Sequence, residues 1–128
     1  MKTILVVDDE YALAEILAEL LQSEGYRVVS ATNGKDGLAR LKTENPDLIL
    51  TDLMMPIVDG RELVRSARAL PQFASTPVIL MSASTKAVAM ADASLGIAAF
   101  VRKPFQWEDL LATIVRLIGE GDRSRPEP

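Results

Sequence analysis

Thr3-Ile4-Leu5-Val6-Val7-Asp8-Asp9 decides the fold of this chain. An apolar, β-branched run without polar alternation reads as a strand buried on both faces, and two aspartates stop it. The pattern recurs at Arg27–Ala31, Asp47–Thr51, Pro77–Met81 and Ala98–Val101. Arg27–Ala31 is the most polar of the five, which suits a sheet edge. Asp52 follows the third run, Ser82 the fourth and Lys103-Pro104 the fifth. Each sits at the carboxyl end of a buried strand, the edge at which open parallel α/β sheets bind ligands. Three carboxylates, a hydroxyl and an ammonium gathered there suit a divalent cation and a phosphoryl group.

Helical patterns fill the spaces between the runs. Leu13, Ile16, Leu17, Leu20 and Leu21 recur at i, i+3, i+4, i+7, i+8, with Glu15, Glu19 and Gln22 opposite, and Gly25 ends that helix. A second helix opens after Thr32-Asn33-Gly34, either Thr32 or Asn33 serving as cap, and closes before Pro46. A third spans about Gly60 to Leu70, a fourth about Thr85 to Ser94, and a fifth about Gln106 to Ile118 with Leu110, Leu111, Ile114, Leu117 and Ile118 as its buried stripe. Five strands alternating with five helices predict right-handed crossovers and a parallel sheet covered on both faces. Residues 1–119 form one domain in this reading, and residues 120–128, rich in Gly, Pro and charge, a disordered tail or linker.

The bulk properties fit a soluble globular domain. At 128 residues the chain buries a real core without metal or disulfide staples. It has no cysteine and no histidine, which excludes thiolate and imidazole chemistry and any phosphohistidine on this chain. A net charge of −4 speaks against nucleic-acid binding. No stretch approaches the ~18 apolar residues of a membrane span, and acid follows the first apolar run too soon for a signal peptide. A cytoplasmic protein without a membrane or nucleic-acid partner is expected.

Each polar residue has an ordinary reading beside the chemical one. Aspartates at a strand-to-helix junction cap helices, which explains one of Asp8 and Asp9 well and two less well. Asp52 is a common kind of turn residue, yet its strand is expected beside the first, which brings three carboxylates together. Such a cluster needs raised pKa values or a hard cation, and Mg²⁺ takes few carboxylates and keeps several waters. Lys103 has the commonest reading of all, a surface lysine, but Pro104 restricts its backbone. Ser82 alone is unremarkable.

With Val6-Val7-Asp8-Asp9-Glu10, Leu50-Thr51-Asp52-Leu53-Met54-Met55-Pro56 with Asp59-Gly60, Leu80-Met81-Ser82-Ala83 and Val101-Arg102-Lys103-Pro104-Phe105 in this order, the chain resembles a response-regulator receiver domain of two-component signalling. The resemblance covers residues 2 to about 118. It implies a three-layer, flavodoxin-like (βα)5 sheet of strand order 2-1-3-4-5. It also implies that Asp52 is the phosphoacceptor, taking a phosphoryl group from a phosphohistidine on a histidine kinase or histidine phosphotransfer protein. Asp8, Asp9, Asp52 and the backbone carbonyl of Met54 would hold Mg²⁺, with Mn²⁺ as a substitute. Lys103 would pair with the phosphoryl oxygens and Ser82 would hydrogen-bond one of them. Phe100 would be the aromatic switch, following Ser82 inward and reshaping the face made by the fourth helix, fifth strand and fifth helix, where an unknown downstream protein binds. The Lys103-Pro104 bond is expected to be cis.

Some positions depart from the family's common pattern. Ser82 stands for a more frequent threonine, Phe100 for a frequent tyrosine, and Ile57-Val58 fills a loop that often has glycine. The fourth helix is unusually poor in charge and bulk. Plain core packing is the ordinary account of Phe100, and a solvated face that of Arg61, Arg65 and Arg68. A phosphohydrolase with an aspartate nucleophile is disfavoured, because Met54 stands where a second aspartate belongs. A flavin site is disfavoured too, because Asp8-Asp9-Glu10 repels phosphate unless a cation intervenes. The chain is expected to be a signalling phosphoacceptor that promotes its own phosphorylation and dephosphorylation, not an enzyme acting on other substrates. It stands alone, or is cut from a larger hybrid kinase or transcription regulator. A receiver-like scaffold that never takes phosphate is the remaining alternative.

Overall fold

The computed structural model describes residues 1–83 and 95–122. The expected fourth helix and residues 123–128 of the expected tail lie outside the described residues. Strands β1 (Thr3–Val7), β2 (Arg27–Ala31), β3 (Leu48–Asp52), β4 (Val78–Ser82) and β5 (Ala99–Arg102) form one sheet. Helices α1 (Tyr11–Ser23), α2 (Gly34–Glu44), α3 (Gly60–Arg68) and α4 (Trp107–Ile118) flank it, and a 3-10 turn occupies Pro71–Phe73. The strand order is β2-β1-β3-β4-β5, all neighbours parallel, as expected.

Burial explains which runs became strands. Every residue of β1, β3 and β4 is buried, as continuous apolar runs in the middle of a two-sided parallel sheet must be. The edge strands β2 and β5 are only partly covered. Side chains alternate between two cores. Leu5, Val7, Ile49 and Leu80 meet Leu41 of α2 and Leu63, Val64 and Ala67 of α3 on one face. Ile4, Val6, Leu48, Leu50 and Met81 meet Ala14, Leu17 and Leu21 of α1 and Leu110 and Ile114 of α4 on the other. Truncating one of these leucines to alanine costs about 2–5 kcal/mol.

Two local expectations need correction. The buried stripe of α1 is Ala14, Leu17 and Leu21, while Ile16 lies outside it at 53% exposure. At 3.6 residues per turn Ile16 stands about 100° around the helix from Leu17, at the margin of the apolar stripe and away from Ala14 and Leu21. The third helix stops at Arg68 rather than Leu70, because Leu70 turns extended ahead of Pro71. Residues beyond α4 turn back on the body: the Tyr26 hydroxyl donates to the Gly119 carbonyl at 2.6 Å and the Asp122 N–H to that of Gly25 at 3.0 Å.

Candidate functional site

Register assembles the acids. Val6 pairs with Leu50 and Val7 with Thr51, so Asp8 and Asp52 arrive side by side one step further on. The Asp8 N–H donates to the Ala31 carbonyl at 3.1 Å, which carries the β1–β2 ladder one residue past the strand. Asp8 is fully buried and Asp52 is 6% exposed, whereas Asp9 faces solvent. One carboxylate oxygen from each of Asp8, Asp9 and Asp52 lies within 4.8 Å of the others.

Helix capping does not account for these acids. The N-cap of α1 is Glu10, which makes no side-chain cap bond. The Asp8 carboxylate instead accepts from the Glu10 N–H at 2.9 Å, bracing the junction and leaving its second oxygen turned to Lys103. By contrast, Asn33 caps α2 through the Asp36 N–H, and Asp59 caps α3 through the Glu62 N–H.

Lys103 is not a surface lysine. Its side chain is only 12% exposed, with Nζ 2.8 Å from Asp8 Oδ2, 3.4 Å from Asp52 Oδ2 and 3.8 Å from Glu10 Oε1. The Lys103 N–H donates to the Ser82 carbonyl at 2.9 Å, and the Lys103-Pro104 bond is cis, as expected. Burial works against the ammonium charge. The hydrogen bond and charge of Asp8, with Asp52 behind them, outweigh it and raise the Lys103 pKa above the ordinary lysine value.

Asp52 is tuned the opposite way for a carboxylate. Desolvation drives its pKa up, Lys103 pulls it down, Asp8 pushes it up, and the balance lies at about 6. Two unit charges about 4.8 Å apart repel by about 3 kcal/mol at an effective dielectric of 20, so one lysine leaves the site short of positive charge. A hard divalent cation would supply it, and three carboxylate oxygens within 4.8 Å of one another are the donor type that Mg²⁺ takes. The residues therefore fit the ion.

Ser82 is fully buried at the end of β4. It pairs with Arg102, and Leu80 pairs with Phe100, so Ser82 and Phe100 share one sheet face two residues apart along their strands. Phe100 is 44% exposed, which sets plain core packing aside. Met54 follows Asp52 closely enough for its N–H to approach Asp52 Oδ1 at 3.4 Å, with its side chain exposed.

Two features of the site escaped sequence reasoning. Glu10 adds a fourth carboxylate near Lys103; its place directly after Asp8-Asp9 was the available signal. Gly60 is the other. A Cβ there would strike the Asp52 carbonyl oxygen, and the Gly60 N–H donates to the Leu53 carbonyl at 2.9 Å, so the start of α3 presses on the Asp52 backbone.

The family model described as "Response regulator receiver domain" matches residues 4–115. The chain is 38% identical over 122 residues to hybrid signal transduction histidine kinase D of Dictyostelium discoideum, a match covering 90% of this chain and 7% of that kinase. It spans about half the length of the bacterial regulators it matches. Chemotaxis protein CheY4 of Vibrio cholerae superposes with a TM-score of 0.86 at 30% identity, covering 92% of this chain and 99% of that one. Response regulator TrrA of Thermotoga maritima, solved in complex with Mg(2+)-BeF, does so at 0.82 with 33% identity, covering 92% and 100%. Sheet order, edge chemistry and matched length thus converge, and the chain belongs to the response regulator receiver domains of two-component systems.

Proposed function

We propose that Asp52 accepts a phosphoryl group from a phosphohistidine of a histidine kinase or phosphotransfer protein. The observation that carries this reading is one lysine shared between two buried aspartates beside a third, at the carboxyl edge of the sheet. An Asp52 carboxylate oxygen attacks phosphorus, a P–O bond forms as the P–N bond to the donor imidazole breaks, and that nitrogen keeps the electron pair and takes a proton. Lys103 turns from its carboxylates to the incoming oxygens as a point charge. Asp8, Asp9, Asp52 and the Met54 carbonyl would hold Mg²⁺, or Mn²⁺ in its place. When bound, the cation neutralises charge on the transferring group. The chain therefore promotes its own phosphorylation, and it promotes dephosphorylation when water attacks the phosphorus, the P–O bond to Asp52 breaks, the carboxylate is restored and inorganic phosphate leaves.

Ser82 donates to a phosphoryl oxygen once Asp52 is modified, and Phe100 follows it on the same sheet face. The ring is 44% exposed, so it is not locked in the core. β5 and α4 then present an altered face to a downstream protein.

The reading is tested by incubating the protein with Mg²⁺ and acetyl phosphate and weighing it intact. A gain of about 80 Da, stable in acid and labile in base, is expected for one aspartyl phosphate. It is absent in Asp52→Asn. The same adduct in that variant rejects Asp52 as acceptor.

A further inference from the structure

Arg68 departs from the basic stripe of α3. Arg61, Arg65 and Arg68 read in sequence as a solvated face, yet the Arg68 guanidinium is turned onto the backbone at the amino edge of the sheet. Its Nε–H donates to the Leu95 carbonyl at 2.9 Å, Nη1 to the carbonyls of Phe73 and Thr76, both at 2.7 Å, and Nη2 to that of Gly96 at 3.3 Å. Four of the five N–H groups of the fork are thus taken by backbone carbonyls. Among the described residues no carboxylate pairs with it. Burial works against the charge and lowers the Arg68 pKa from the ordinary arginine value. A cation desolvated against backbone alone is a clamp, and its bonds are stronger than those of a neutral donor.

The clamp joins α3 to the entries of two strands. α3 begins at Gly60 against the Asp52 backbone and ends at Arg68. The four carbonyls lie in two segments, one leading into β4 and the other into β5. β5 has four residues, lies at the sheet edge with β4 as its one neighbour, and is only partly buried. Packing at its entry gives out after Leu95, whose side chain is buried. Gly96 is exposed, with no atom within 4 Å of the place a Cβ would take, and a cavity of about 450 Å³ lies against Arg68, Thr76, Leu95, Gly96, Ala98 and Leu117. What holds the entry beyond Leu95 is therefore the guanidinium, followed by the Ala98 N–H on the Val78 carbonyl at 2.9 Å.

A strand shifts along its axis as one piece, so its entry sets where its far end comes to rest. Directly after β5 stands Lys103, with Nζ 2.8 Å from Asp8 Oδ2 and 3.4 Å from Asp52 Oδ2. Resting on the function proposed above, we infer that Arg68 is a positioning residue for phosphoryl transfer: from the amino edge it fixes β5, and with it the height at which Lys103 stands over Asp52. Arg68 touches no reacting group. Its effect is through geometry, and a misplacement of about 1 Å at reacting groups costs up to about a hundredfold in rate.

Chemical rescue separates positioning from bulk stability. Arg68→Ala is expected to label with acetyl phosphate and Mg²⁺ about tenfold more slowly than wild type. Guanidinium at about 20 mM, far below its denaturing range, is expected to refill the cradle of carbonyls and restore most of the rate. Leu21→Ala opens a cavity in the opposite core beneath α1, and is expected to keep the wild-type rate and gain nothing from guanidinium. In amide NMR spectra of the metal-free protein, the signals of Phe100, Val101 and Lys103 are expected to shift in Arg68→Ala and to return with guanidinium, while those of Val6 and Val7 stay. Should Arg68→Ala fail to fold, Arg68→Lys, which keeps the charge without the fork, replaces it in the rate and NMR measurements. Labelling of the variant at the wild-type rate overturns the proposal. So does equal slowing of Arg68→Ala and Leu21→Ala, or guanidinium that leaves the labelling rate of Arg68→Ala unrestored. Absence of labelling in the wild-type chain is a different failure, that of the underlying reading of Asp52; unmoved signals of Phe100 and Lys103 then overturn the placement of β5 by Arg68.

Discussion

Lys103 Nζ lies 2.8 Å from Asp8 Oδ2, an ion pair formed between the ends of β5 and β1 with a fully buried carboxylate on one side. The strands that carry them are separated by two others in the sheet. The lysine therefore spans the whole carboxyl edge and passes Asp52 on the way, at 3.4 Å. The pair sets the charge of the site before any cation or phosphoryl group arrives.

Removing the lysine leaves Asp8 buried without its cation. Lys103→Met is expected to lower the stability of the metal-free protein by about 3 kcal/mol, the scale for breaking a buried pair on one side. Mg²⁺ is expected to restore part of that loss by supplying charge beside the same carboxylates. Urea unfolding at pH 8 with and without Mg²⁺ measures both. An equal loss in the two conditions would show that the damage is to packing alone.

Asp52 contributes a pH dependence to the stability of the metal-free protein. Its pKa rises on folding from the ordinary 3.8 to about 6, so between these values the native state holds a proton that the unfolded chain has released. Stability therefore falls as pH rises through that window, and the cost is complete above about pH 6. Asp52→Asn removes the charge and is expected to raise stability by up to about 3 kcal/mol at pH 8. The gain should shrink between pH 6 and pH 4 and vanish below. Unfolding free energies of both proteins at pH 8, 5 and 3.5 give the three points.

The reason so much of this was legible in the sequence is that the sheet is buried on both faces. Thr3–Val7, Leu48–Asp52 and Val78–Ser82 are fully covered, so their runs carry little polar noise and their polar ends stand out. β3 and β4 each end one residue later than expected, because Asp52 and Ser82 continue the ladder while serving the edge. What stayed hidden depends on three-dimensional proximity. Nothing local tells that Gly60 meets the Asp52 carbonyl, or that Ile57 sits at positive φ. The exposure of Ile16 likewise depends on how far the sheet extends beneath α1.

Cation binding is expected to stabilise the fold by mass action. At Mg²⁺ a hundredfold above its Kd the gain is about 2.7 kcal/mol. Asp9 is the exposed member of the triad, so Asp9→Asn should leave the metal-free melting temperature nearly unchanged while removing most of the Mg²⁺-dependent rise. Thermal melts across a Mg²⁺ titration show it. A full Mg²⁺ response in Asp9→Asn would place the ion elsewhere.

Gly60 links Asp52 to α3 through backbone contact. A Cβ at position 60 would meet the Asp52 carbonyl oxygen and the Leu53 Cα at once, and both are backbone atoms that no rotamer change clears. Overpacking of this kind costs about 1–3 kcal/mol. The strain falls on β3 where Asp52 leaves the ladder, with the Leu53 N–H tied to the Met81 carbonyl at 2.8 Å and the Leu53 carbonyl to the Gly60 N–H at 2.9 Å. Gly60→Ala is therefore expected to slow labelling of Asp52 by acetyl phosphate in addition to lowering the melting temperature. Leu63→Ala supplies the control, since it opens a cavity in the same helix away from that contact. At matched loss of stability, the glycine variant should lose more labelling rate than the leucine variant. Equal rates would show that α3 supports the fold without positioning the acceptor.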